Sequence, residues 1–171
     1  MSQLNIEISL AEATDLIRLQ PLFEEMYAHF FAANGVTELS PNGFKHWQSG
    51  YERARNVSRT VYICYDNNTP VGFIEGQIRI GSPVIGQGKL GHTAHLYVNP
   101  DYRRNGLAKK LYQTQQTWFI SKKISYETLD VVCGNNIGLA FWSAIGFKSS
   151  FINMLKPVDL NSRAGAHKKE E

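Results

Sequence analysis

The chain has 171 residues, 43% apolar and 19% charged, with a formal net charge of +3. That is the length and balance of one folded unit; it excludes a disordered chain, and division would leave pieces too small for good cores. The mild charge argues against a general nucleic-acid binder, and no run nears the ~18 apolar residues of a bilayer span, so neither nucleic acid nor membrane is an expected partner.

The opening residues, MSQLNIEISL, lack the basic-then-apolar order of a secretory signal. Cys64 and Cys133 both sit in apolar, strand-like runs and read as small core residues, with no disulfide framework and no metal pair. A reduced, cytoplasmic setting is expected.

Residues 4–10 alternate apolar and polar, as a half-buried strand does. Thr14 or Asp15 then caps a helix whose Leu16, Leu19, Leu22, Phe23, Met26 and Phe30 recur at helical spacing. Pro21 kinks that helix or delays its start, and Asn34-Gly35 ends it. Ser40-Pro41 has the cap and first-turn chemistry of a second helix running to Asn56. VYICYD (61–66), the turn NNTP and VGFIEGQIRI (71–80) form a hairpin. The Gly-rich, flexible stretch GSPVIGQGKLG leads into the strand HTAHLYV (92–98), which Asn99-Pro100 breaks. A helix over 107–120, a strand over 126–133, a short helix over 135–145 and a last strand over 147–158 complete the order β-α-α-β-β-β-α-β-α-β. The prediction is an α/β (α+β) domain over residues 1–158, a mixed sheet flanked by helices, with a polar, disordered tail at 159–171.

The informative stretch is HLYVNPDYRRNGLAKK, His95 to Lys110. A strand ends, an Arg-rich turn follows, and a helix starts just after Gly106. Helix N-termini leave backbone N–H groups without acceptors and carry partial positive charge. Gly106 lets the backbone approach a ligand, Ala108 keeps that approach open, and Arg103, Arg104 and Lys109 add charge around it. Residues 103–123 hold six cations and no acid. A phosphate or pyrophosphate belongs at residues 103–109.

These residues resemble the core motif of the GNAT (GCN5-related) N-acetyltransferases. Leu96-Tyr97-Val98, Pro100 and Tyr102-Arg103 stand where that family has a hydrophobic-aromatic-Val strand end and a Pro-x-Tyr-Arg turn. Arg103-Arg104-Asn105-Gly106-Leu107-Ala108 matches its Arg-x-x-Gly-x-Gly/Ala loop. Downstream, Asn135, Phe141-Trp142 and Gly146-Phe147 hold the places of its next motif. The resemblance implies the GNAT fold, a mostly antiparallel mixed sheet, and acetyl-CoA as cosubstrate with no metal. It implies that Leu96, Tyr97 and Val98 pair with the pantetheine amides while this strand splays from the next. Backbone groups from Arg104 to Lys109 would hold the pyrophosphate, and Asn135 would face the far end of the arm. The acceptor is then a small-molecule or peptide amine, and a homodimer is in keeping with the family.

Two departures from the family pattern bear on the chemistry. His95 stands where many members carry an acid, and imidazole titrates near neutrality, so His95 is a candidate base. Glu75 in the neighbouring strand is the rival, unless it faces solvent. Trp142 stands where members often have a Tyr; its ring N–H is no acid at neutral pH, and it reads as packing beside the cofactor arm or as core. Tyr97, Tyr112 and Cys133 remain open as proton donors. Residues 23–38 offer an aromatic and acidic lining for the acceptor, with Glu24, Glu25, Tyr27, His29, Phe30, Phe31 and Glu38, although Met26 and Phe30 read as core by periodicity and Glu24 and Glu25 as a solvated face.

Overall fold

The computed structural model describes residues 4–156. Its sheet has five strands in the order of the chain: β1 (Ile6–Leu10), β2 (Arg59–Asp66), β3 (Thr69–Ile80), β4 (Lys89–Val98) and β5 (Tyr126–Leu129). β1 to β4 are antiparallel neighbours, and β5 joins β4 in parallel. Four α-helices flank it: α1 (Gln20–Asn34), α2 (Gly43–Ala54), α3 (Leu107–Ser121) and α4 (Asn136–Ala144).

The strands' alternation divides the core in two. On one face Val61, Ile63, Phe73 and Tyr97 meet Phe23 and Met26 of α1 and Phe44, Trp47 and Tyr51 of α2. On the other, Cys64, Ile74 and Val98 meet Leu107, Leu111 and Tyr112 of α3 and Trp142 of α4. Glu75 follows the parity of Phe73, so its carboxylate enters the α1/α2 side and is fully buried. Its solvent-facing alternative is thereby removed.

Pro21 delays the first helix. Residues Ala13–Leu19 form a 3-10 segment, and α1 starts at Gln20 with Pro21 in its first turn, where the missing N–H is no loss. Glu12, ahead of the predicted cap, precedes that segment and donates its N–H to Asp15 Oδ2 at 2.9 Å. Gly35, at φ 69°, ends α1 as expected. The second helix starts later than Ser40-Pro41 suggests, because those residues form a separate turn closed by the Gly43 N–H on Ser40 O (2.8 Å). The Gly-rich stretch closes as a hairpin: Gly81 donates to Gly88 O at 2.8 Å around a short 3-10 turn, and β4 starts at Lys89.

Three expectations are corrected. β5 ends at Leu129, four residues short of the predicted strand. Residues 147–156 form no strand, and nothing among the described residues pairs with them: Phe147 packs on Trp142, while Phe151, Ile152, Met154 and Leu155 point into solvent. Residues 157–158 of that predicted strand, and the 159–171 tail, lie outside the described residues. Cys64 is buried as expected, with burial raising its thiol to about 11, but Cys133 lies beyond the end of β5 and is exposed. No helix among the described residues is long and apolar enough to cross a membrane.

Candidate active site

β4 and β5 run together only over Leu90–Thr93 and Tyr126–Leu129. There the β3–β4 register shifts: Gly76 pairs with Thr93 but Glu75 with His95, leaving Ala94 as the extra residue of a bulge. Bulges bend a strand and end its pairing. Beyond it the β5-facing edge of Leu96, Tyr97 and Val98 has no ladder partner among the described residues, and a cleft of about 720 Å³ opens in the gap. The splay expected of these two strands is present.

Beyond Val98 the chain turns through two left-handed residues, Arg104 (φ 67°) and Gly106 (φ 75°), into α3. Lys110 is the first amide of α3 to bond back, to Gly106 O at 3.1 Å. The N–H groups of Leu107, Ala108 and Lys109 therefore lack helical acceptors, and no side chain caps them. A Cβ added at Gly106 would meet nothing within 4 Å, so the space over this turn is open. Arg103 anchors the turn, donating from Nε to Val98 O at 3.0 Å with its guanidinium over the Tyr97 ring.

The far wall is the chain after β5, Asp130 to Val132, and then the start of α4. The third side is α1, through His29, Phe30 and Ala33. Gly134 (φ 86°) presses against α1 there: a Cβ on it would lie 2.4 Å from the Ala33 carbonyl oxygen.

His95 stands on the cleft wall in an aromatic box of Phe23, Tyr27 and Trp47. Its Nδ1 is 2.7 Å from Glu75 Oε2, and its Nε2 is 3.2 Å from the Tyr27 hydroxyl. Burial, and then the Glu75 charge, push the Tyr27 hydroxyl up, so it stays protonated. Burial works against the charge of Glu75 itself. Hydrogen bonding and charge from His95, with Arg59 and Gln77 beside it, outweigh burial and bring its carboxyl down to about 2. Glu75 is a carboxylate at neutral pH, which makes Nδ1 of a neutral His95 the protonated nitrogen and Nε2 the basic one.

An acetyltransferase (GNAT) family model matches residues 19–147 of this chain. The chain belongs to the GNAT acetyltransferase family. No curated protein matches it in sequence. Its GNAT fold is similar to that of an aminoglycoside N-acetyltransferase, AAC(6')-Iy, solved in complex with CoA: TM-score 0.73 and 16% identity, over 92% of this chain and 97% of that one. A protein from Clostridium acetobutylicum described as a predicted acetyltransferase, solved with acetyl-CoA, gives TM-score 0.72 and 14% identity over 92% and 97%. The ribosomal-protein-alanine N-acetyltransferase of Brucella melitensis gives 0.64 and 18% over 90% and 99%. At these identities the likeness speaks to the fold alone.

Most of the expected GNAT site residues converge on the cleft. His95, Leu96, Tyr97, Val98, Arg103, Arg104, Gly106, Leu107, Ala108, Lys109, Asn135 and Trp142 all line it. Asn105 does not: its side-chain amide turns back to the carbonyls of Tyr102 and Arg103, both at 3.2 Å, and stiffens the turn. Glu75 does not line it either, and touches it only through His95. Asn135 uses Oδ1 to accept from Gly138 N at 2.9 Å, capping α4. Trp142 lines the cleft while packing edge-on against Tyr112 and Phe147.

Of the open proton donors, Tyr112 gives its hydroxyl to Glu127 at 2.8 Å, away from the cleft. Tyr97 lines the cleft with its hydroxyl 3.0 Å from His29 Nδ1, and burial pushes that hydroxyl far up. On α1, Met26 is core, Phe30 belongs to both core and cleft, and Glu24 is exposed and bonded to Gln20. The sequence reading passed over Arg59, Trp47 and Gln77, the donors around Glu75. The one available signal was the shared parity of Glu75 and Gln77; Arg59 and Trp47 arrive from elements distant in sequence.

Proposed function

We propose that this GNAT protein moves an acetyl group from acetyl-CoA to the primary amine of a small molecule or peptide, by direct attack with both substrates bound. The supporting observation is the position of His95, beside an unladdered strand edge in a cleft whose other end carries unpaired amides.

The residues fit the cosubstrate. The N–H groups of Leu107 to Lys109, the open space over Gly106 and the cations of Arg103, Arg104 and Lys109 suit a pyrophosphate. The free edge of Leu96 to Val98 suits an extended chain of amides, which pairs there as an added strand does, with Asn135 and Trp142 alongside. When bound, acetyl-CoA supplies the acetyl group as an activated thioester.

An alkylamine has a pKa near ~10 and arrives protonated, so it must lose a proton before its lone pair is free. His95 Nε2 takes that proton while Nδ1 stays bonded to Glu75. The amine nitrogen then forms the C–N bond, the C–S bond breaks as the thiolate leaves, and the second proton shed by the nitrogen passes to the departing sulfur. A backbone N–H of the free β4 edge polarises the carbonyl. Trp142 donates only from its indole nitrogen, so the thiolate departs without an acid from that position. Glu75 has no exposure to the cleft and serves behind His95.

The test is thiol release from acetyl-CoA with a panel of polyamines, aminoglycosides, amino acids and peptides, beside titration of CoA itself. Turnover on one acceptor class, lost in His95→Ala, is the expected result. CoA binding without turnover on any amine would make the chain a non-catalytic acyl-CoA sensor, a reading that the missing Tyr at position 142 favours. Release only from longer acyl-CoAs would reassign the acyl group. Failure to bind CoA would overturn the proposal.

A further inference from the structure

Glu75 is a buried carboxylate with its acceptor positions filled. Oε1 accepts from Arg59 Nε at 2.7 Å, from a terminal nitrogen of the same guanidinium, and from Gln77 Nε2 at 2.8 Å. Oε2 accepts from Trp47 Nε1 and His95 Nδ1, each at 2.7 Å. No oxygen is left for a substrate amine, so Glu75 cannot be the base itself. The donors come from four elements: Arg59 from β2, Gln77 from β3, His95 from β4 and Trp47 from α2. The Arg59 guanidinium lies close over Gly50 of α2, where a Cβ would come within 2.7 Å of it.

A buried carboxylate with one partner is poorly placed, and with several it has a single orientation. We propose that Arg59 and Trp47 are positioning residues for His95, acting through Glu75: they hold that carboxylate charged and aimed at Nδ1, which leaves Nε2 as the nitrogen that receives the amine's proton. The inference rests on His95 being the base. In the step, Nε2 gains one proton, Nδ1 keeps its own, Glu75 stays ionised, and the net charge of Arg59, Glu75 and His95 rises by one. Other titratable groups facing this region are Tyr27, His29 and Glu25 of α1, Tyr51 of α2, and His92 and Tyr97 of β4. They are unchanged in the variants below.

The test uses the full chain labelled with 15N-histidine, whose long-range 1H–15N spectra report the tautomer and titration midpoint of each ring; His95→Ala identifies the His95 signals. In the unsubstituted protein the neutral ring should carry its proton on Nδ1. Glu75→Gln removes the anion and leaves the Arg59 cation, so the His95 midpoint should fall by about one pH unit. Arg59→Met removes the cation and leaves the anion, so the midpoint should rise by about as much. The acidic limb of kcat/KM, read on any acceptor that turns over, should move in the same two opposite directions. In Glu75→Gln, kcat should fall about 100-fold with the KM for acetyl-CoA unchanged. Arg59→Lys should restore much of the effect, and it carries the test with Trp47→Phe if Arg59→Met does not fold.

A purely structural role for Arg59 predicts lower melting temperature with no opposed displacement. His95 midpoints that stay put, or that move the same way in both variants, overturn the proposal. If His95→Ala keeps full turnover, the base reading fails instead, whatever the spectra show.

Discussion

The Ala33 carbonyl oxygen lies where a Cβ at Gly134 would come within 2.4 Å of it, so α1 and the chain after β5 meet across the cleft with only a glycine between them. Two costs coincide there. Gly134 holds φ 86°, a conformation that L side chains resist, and its neighbour is main chain, which cannot rotate away. Gly134→Ala should therefore force α1 off this wall and destabilise the fold by about 2 kcal/mol. Thermal unfolding measures the loss. CoA titration should show weaker binding in the same variant, since His29, Phe30 and Ala33 wall the cleft from α1.

Gly106 is the useful contrast. Its φ is 75°, but a Cβ there meets nothing within 4 Å. Gly106→Ala should cost only the backbone strain, about 1 kcal/mol. Gly106→Val or Gly106→Glu should leave a folded protein whose CoA affinity drops at least about tenfold, because the side chain fills the open space over the α3 amides. Calorimetric titration with CoA tests this, and an unchanged affinity would remove the loop from the binding site. Stability and binding should thus separate at Gly106 and fall together at Gly134.

The two thiols should differ in reactivity. Cys64 is buried and its thiol is raised to about 11, whereas Cys133 is exposed between Val132 and Gly134, both on the cleft wall. An aromatic disulfide reagent should label one thiol per native chain rapidly and the second only on unfolding. CoA should slow the rapid reaction by covering its neighbours. Equal rates at both positions would contradict the placement of Cys133.

The turn from Arg103 to Lys109 was legible in sequence because its chemistry is local: a broken strand, a left-handed glycine and a helix start lie within a dozen residues. Helix and hairpin positions followed from the same kind of signal, including the delay imposed by Pro21. What escaped depends on pairing between distant residues. YETLDVVC has strand composition to its end, but the bulge at Ala94 withdraws its partner, so β5 stops at Leu129 and Cys133 reaches solvent. FKSSFINMLK likewise has the composition of a strand and no ladder among the described residues. Alternation along VGFIEGQ fixed that Glu75 shares a face with Phe73 but could not say which face is covered. Only the arrival of α2, carrying Trp47, and of Arg59 from β2 buries the Glu75 carboxylate and fills its oxygens beside His95.

Two buried groups should make the fold acid-sensitive in separate windows. His92 is buried beside Thr128, and burial, with Arg79 near it, lowers its imidazole from 6.5 to about 4. Neutral His92 is therefore favoured in the fold, and its contribution is complete above about pH 6.5 and lost as pH falls through about 4. Glu75 runs lower: its carboxyl descends from 4.5 to about 2, so its contribution is full above about 4.5 and lost toward 2. Urea midpoints measured from pH 8 to pH 2 should fall in two stages, first across the His92 window and then across the Glu75 window. His92→Gln, which keeps a neutral hydrogen-bonding side chain, should flatten the upper stage and leave the lower one. A midpoint independent of pH between 6.5 and 4 in the unsubstituted protein would show that His92 is not held neutral by the fold.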